Sequence, residues 1–97
     1  MHESHDKKEI FSKIKEIIYN AMRVNPEKIT TNARIFTDLG AESLDVLDIR
    51  FRIEQIFGFK IGDREIIKQL GDNLSSKEIE EKFTVGSIVD YVEKRNR

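Results

Sequence analysis

Residues 38–61 read DLGAESLDVLDIRFRIEQIFGFKI, and the reading of this stretch decides the fold. Ser43 stands where a helix begins, with Asp38, Glu42, Asp45 and Asp48 around it and no basic residue among them. At about 100° per residue, the helix from Ser43 to Phe57 carries two apolar stripes. Val46, Ile49, Ile53, Ile56 and Phe57 form a broad stripe expected to face the core. Leu44, Leu47 and Phe51 form a narrower one on another side. The narrow stripe either meets a second part of the core or stays exposed, and an exposed patch of this kind is a partner site. Gly58 is placed to end the helix as its C-cap.

Ser43 has two readings. Serine is a preferred helix N-cap, and capping alone accounts for a serine at a helix start. The other reading is a hydroxyl that carries a phosphate ester, because free N–H groups and partial positive charge at a helix N-terminus suit a phosphodiester. Glu42 and Asp45 repel a phosphate, so on that reading they serve something else, such as attraction of a basic partner or a metal-bound cosubstrate.

Outward from this stretch, the chain reads as helical throughout. Ile10, Phe11, Ile14, Ile17, Ile18, Ala21 and Met22 recur at spacings of three and four, which predicts a helix from about Asp6 to Arg23. Pro26 disfavours helical geometry at Asn25 and is expected to stop it. Residues 27–42 show no usable periodicity and read as an ordered loop pinned by Ile29, Ile35, Phe36 and Leu39; a loop of that length is usually functional or disordered. DREIIKQL predicts a short helix from Asp63 to Leu70, and Ser75 with Glu78 has capping-box spacing for another. The last helix is expected from Val85 or Gly86 to Lys94, burying Ile88, Val89 and Val92. The expected class is all-α, three longer helices with short helical pieces before the last.

Composition narrows the functions available. With 97 residues, the chain is expected to be one domain. It has no cysteine, which excludes disulfides, thiolate metal sites and a cysteine nucleophile, so any thiol chemistry has to be supplied by an added group. Charged residues make up 36% of the chain but sum to −1, without the basic excess of a nucleic-acid binder. No apolar run approaches the roughly 20 residues of a membrane span. The start, MHESHDKKEI, is polar and lacks a signal-peptide core, so residues 1–5, with His2 and His5, read as a mobile tail and the location as cytoplasmic. No nucleophile–base pair, metal-ligand cluster or glycine-rich phosphate loop is present.

The segment DLGAESLDVLDIRFRIEQIFGFKI resembles the prosthetic-group segment of acyl carrier proteins, with its Asp-Leu-Gly, two residues, then Ser-Leu. EKITTNARIFTDLG resembles the family's first loop and TVGSIVDYVEKR its closing helix, so the similarity runs from about Ile10 to Lys94. The resemblance implies a helical bundle that is not itself an enzyme, with phosphopantetheine from coenzyme A esterified to Ser43. The arm's terminal thiol holds acyl groups as thioesters for fatty acid or specialised lipid synthesis; the cofactor brings the chemistry and the protein brings attachment and recognition. It implies a phosphopantetheinyl transferase and acyl-transferring and fatty-acid-synthesis enzymes with basic docking surfaces as partners. Asp38, Glu42, Asp45 and Asp48 then steer those enzymes, and Leu44, Leu47 and Phe51 meet them. The expected state is a monomer.

Three features depart from the family pattern. Glu42 stands where an aspartate usually precedes the serine. Arg50 and Arg52 interrupt a helix that is usually more acidic. The connection at residues 62–83 is longer than usual, a lengthening that resembles specialised carriers, including those serving very long acyl chains for lipid A. That segment either covers the core or borders an enlarged pocket between the second and last helices. Two further readings stay open here: a peptidyl or aminoacyl carrier, and an unmodified helical interaction domain that docks through Leu44, Leu47 and Phe51.

Overall fold

The computed structural model describes residues 6–96, and the expected mobile tail lies outside the described residues. Five α-helices follow one another: α1 Lys7–Met22, α2 Ser43–Phe57, α3 Glu65–Lys68, α4 Ser76–Lys82 and α5 Val85–Arg95. A single turn of 3-10 helix, Pro26–Lys28, follows α1. The architecture is all-α, with α1, α2 and α5 as the longer helices and α3 and α4 before the last. Among the described residues the β pairing amounts to one isolated bridge, Arg34 with Thr84.

Helix α1 starts at Asp6, whose carboxylate accepts the Glu9 N–H at 2.8 Å. Its apolar stripe buries Ile10, Ile14, Ile17 and Ile18 against α5 and α2. Full burial of one such side chain contributes roughly 1.5–3 kcal/mol. The helix ends at Met22, within a residue of the expected end. Arg23 takes a left-handed conformation at φ 61°, its N–H returns to the Tyr19 carbonyl at 2.7 Å, and its guanidinium lies 5.2 Å from the Tyr19 ring centre. Pro26 opens the following turn, where its missing N–H costs nothing.

The loop before α2 is ordered as expected, with Ile29, Ile35 and Leu39 buried and Phe36 packed on the core. Backbone bonds tie it to the start of α5: Ile35 N–H to the Phe83 carbonyl at 2.9 Å, and Val85 N–H to the Ala33 carbonyl at 3.0 Å. Gly86 N–H donates to the Thr31 carbonyl at 2.8 Å. A Cβ on Gly86 would sit 2.8 Å from the Thr31 methyl, so this crossing requires glycine. Thr84 caps α5, its hydroxyl accepting the Ser87 N–H at 3.1 Å, and Ser75 caps α4 in the predicted box with Glu78.

Helix α3 is shorter than its pattern suggests. Arg64 is left-handed at φ 61°, which breaks the helical path before Glu65 and limits α3 to a single turn. The broad stripe of α2 also outruns the core. Ile49 and Ile53 are buried, Val46 and Phe57 pack at its edge, but Ile56 in the last turn is 54% exposed.

Candidate functional site

The loop Asp38-Leu39-Gly40 sets where α2 begins. Asp38 closes a turn on Arg34: its carboxylate accepts the Arg34 backbone N–H at 2.8 Å and the guanidinium at 3.0 and 3.1 Å. The arginine holds this carboxyl below its usual pKa, chiefly through that side-chain bond. Leu39 is buried, and Gly40 turns the chain at φ +76°. Open space surrounds the place of a Gly40 Cβ, so its backbone angle is what favours glycine there. Ala41 N–H then returns to the Ile35 carbonyl at 3.0 Å, which delivers Glu42 and Ser43 to the surface.

The capping reading of Ser43 is corrected by this geometry. Glu42, in extended conformation, is the N-cap, and Ser43 is the first helical residue. The Asp45 carboxylate accepts the Glu42 N–H at 2.8 Å. The first intrahelical bond is Val46 N–H to the Glu42 carbonyl at 3.1 Å, so the amides of Ser43 and Leu44 precede the ladder. Ser43 is exposed, and its hydroxyl has no hydrogen-bond partner among the described residues. An exposed, unengaged hydroxyl in the first turn of a 15-residue helix can take a phosphate ester, whose charge the helix end favours.

Ser43 also lines a pocket of about 280 Å³. Its apolar walls are Phe36, Val46, Leu47, Ile66, Ile67 and Phe83, with Leu44 and Arg50 alongside. The rings of Phe36 and Phe83 lie 5.5 Å apart. The pocket therefore sits between α2 and α3, floored by loop residues. Helix α5 supplies none of its lining, contrary to the expected place between the second and last helices. The reason is Tyr91. Its hydroxyl donates to Glu65 Oε2 at 2.7 Å, and Arg95 reaches the same oxygen at 2.9 Å, which fastens α3 over the flank of α5.

The other predicted site residues divide. Leu44, Leu47 and Phe51 are 76%, 37% and 48% exposed, so the narrow stripe of α2 is an open apolar surface. Leu44 and Leu47 share the pocket with Ser43, whereas Phe51 lines a different depression with Glu54 and Phe59. Asp48 is paired with Arg52 at 2.9 Å, as Asp38 is with Arg34. Asp45 has the Glu42 N–H to hold. The acidic group is thus partly engaged within the chain. Sequence reasoning also missed the grouping of Glu65, Tyr91 and Arg95, and Arg50 as a pocket residue.

The comparisons with known proteins agree with this geometry. The family model for the phosphopantetheine attachment site matches residues 12–92. The acyl carrier protein of Thermotoga maritima is 37% identical over 89 residues, covering 92% of this chain and 94% of that protein. The acyl carrier protein of Wolinella succinogenes is 34% identical, covering 87% and 93%. That of Borreliella burgdorferi is 34% identical, covering 93% and 96%. The chain belongs to the acyl carrier protein family, carriers whose prosthetic group is phosphopantetheine. It acts as a carrier with partner enzymes and is not a catalyst. No helix among the described residues is long and apolar enough to cross a membrane.

Proposed function

We propose that Ser43 is the attachment residue, and that the chain presents acyl groups from there to enzymes of fatty acid or specialised lipid synthesis. The observation that carries the proposal is the position of its hydroxyl: exposed, free of capping duty, in the first turn of α2 and at the edge of an apolar pocket. The phosphopantetheine arm supplies a thiol that holds the acyl group as a thioester, the thiol this cysteine-free chain lacks. The chain's own residues attach, orient and shelter. Phe36, Val46, Ile66 and Phe83 offer apolar cover to a chain that folds back beside α2, and each buried methylene contributes about 0.8 kcal/mol. The segment 62–83 provides α3 as one wall, which supports a role in admitting longer chains.

Partner enzymes, the phosphopantetheinyl transferase first among them, dock on Leu44, Leu47 and Phe51, with Glu42, Asp45 and the paired Asp38 and Asp48 drawing in a basic surface. The test is intact mass after incubation with coenzyme A and a promiscuous transferase. The gain of one phosphopantetheine in the wild type, with none in Ser43→Ala, is the expected result. An unmodified wild type, or an arm that survives the substitution, overturns the assignment.

A further inference from the structure

The pocket beside Ser43 is not uniformly apolar. Arg50 lies seven residues along α2 from Ser43, about 10 Å at 1.5 Å per residue, and lines the same pocket. Its side chain is half-buried, and one of its guanidinium nitrogens donates to the Ile61 carbonyl at 3.1 Å. A guanidinium carries five N–H donors, so most of this one's donors are left over. Arg34, Arg52 and Arg95 each pair with a carboxylate, but Arg50 has no ion-pair partner among the described residues. Glu65, a carboxylate on the α3 wall, already accepts from Tyr91, Arg95 and Gly62. Asp63 and Arg64 stand exposed at the rim with opposite charges.

We infer that Arg50 makes this pocket selective for acyl groups carrying an oxygen beyond the thioester, a hydroxyl, a ketone or a second carboxylate, over fully saturated chains. The inference rests on Ser43 as the anchor and adds the class of cargo. A saturated chain beside Arg50 removes water from the guanidinium and returns no hydrogen bond, which offsets what its methylenes gain. An oxygen acceptor at the same depth replaces the lost water. A carboxylate does so with a charge-assisted, two-pronged bond. The Arg50 guanidinium also lies 5.2 Å from the Phe51 ring centre and bonds to the Ile61 carbonyl, two contacts that restrict its swing into solvent.

The experiment loads arms bearing saturated, hydroxylated and carboxylated acyl chains of equal length onto wild type, Arg50→Met and Arg50→Lys. Intact mass first establishes loading on each. The readout is the melting temperature of each loaded form minus that of its own unloaded form, which removes any loss caused by the broken Ile61 bond. In wild type the oxygenated chains are expected to raise the melting temperature above the saturated chain by about 4–8 °C, the shift one good hydrogen bond makes in a domain this small. Arg50→Met reverses the order, and Arg50→Lys keeps a preference for the carboxylate alone. The Arg50 Nε–H resonance is expected to move with oxygenated cargo and to stay in place with saturated cargo. Loading that succeeds without this ranking, or a ranking unchanged in Arg50→Met, overturns the role of Arg50 and leaves Ser43 untouched. Failure to load any chain removes Ser43 and Arg50 together.

Discussion

Tyr91 donates its hydroxyl hydrogen to Glu65 at 2.7 Å across 26 residues of sequence, and this bond fixes the wall of the pocket to the last helix. Arg95 adds a bond to the same carboxylate and another to the Lys60 carbonyl, and lies 4.4 Å from the Phe59 ring centre. The bond to Tyr91, first, and the Gly62 amide hold the Glu65 carboxyl below its usual pKa. A carboxyl with a depressed folded-state pKa stabilises the fold above its unfolded pKa, and that contribution fades as pH falls through the folded value. Tyr91 behaves oppositely: burial, then the bond to Glu65, pushes its phenol up to about 12. Its contribution is complete below the ordinary tyrosine value near 10 and disappears as pH rises toward 12. Stability is therefore expected to fall at both ends, with the alkaline loss absent in Tyr91→Phe and the acid loss reduced in Glu65→Gln. Denaturant titrations across pH check this, and an unchanged alkaline limb in Tyr91→Phe contradicts it.

Gly86→Ala is expected to destabilise the protein by about 1–3 kcal/mol through overpacking against Thr31. The bond from its N–H to the Thr31 carbonyl, at 2.8 Å, leaves the two backbones little room to separate. Equilibrium unfolding measures the change. A neutral substitution would show that the loop moves away freely.

Asp45→Ala removes the carboxylate that holds the Glu42 N–H and is expected to cost about 1 kcal/mol, the ordinary worth of a helix cap. It also releases the turn that presents Ser43, so amide-exchange protection at Val46 and Leu47 is expected to drop. Glu42→Gln keeps the backbone geometry and leaves protection near wild type. Equal losses in both variants would contradict the structural role assigned to Asp45.

Partner recognition is expected to depend on the open stripe of α2 and only modestly on charge. Leu44→Ala and Phe51→Ala are predicted to lower the transferase kcat/KM on the order of tenfold each, as for central apolar contacts. Attraction between exposed charges is screened over about 8 Å at physiological salt. Because Arg34 and Arg52 already sit on Asp38 and Asp48, the salt dependence of wild type is expected to be shallow. Arg52→Glu frees Asp48, and modification by a basic partner should speed up with a steeper salt response. Identical salt curves for the two proteins would remove the acidic group from recognition.

Much of this was legible in the chain. The periodicity of Ile10, Ile14, Ile17 and Ile18, the two stripes of Ser43–Phe57 and the Ser75–Glu78 box all act within a few residues, where spacing reports geometry directly. The end of α1 was placed to within a residue, but not the left-handed angle of Arg23 that closes it, which a non-glycine residue does not advertise. The cap of α2 stayed open in the sequence because Ser43 and Glu42 are neighbours and only backbone angles separate their roles. The pocket's place depends on Tyr91 and Arg95 meeting Glu65 from far along the chain, and no short-range pattern encodes that. The pairing of Asp38 and Asp48 was readable in principle, as both arginines stand four residues away.

The central claim is that the hydroxyl of Ser43, free of capping duty, is where the prosthetic arm is attached. Fragmentation of proteolytic peptides from transferase-treated protein tests it most directly, because it locates the added mass on one side chain. The account predicts the whole of the added phosphopantetheine on Ser43, with Ser4, Ser12, Ser75, Ser76 and Ser87 unmodified. Phosphopantetheine on any of those serines, or its absence from Ser43 in otherwise folded protein, would contradict it.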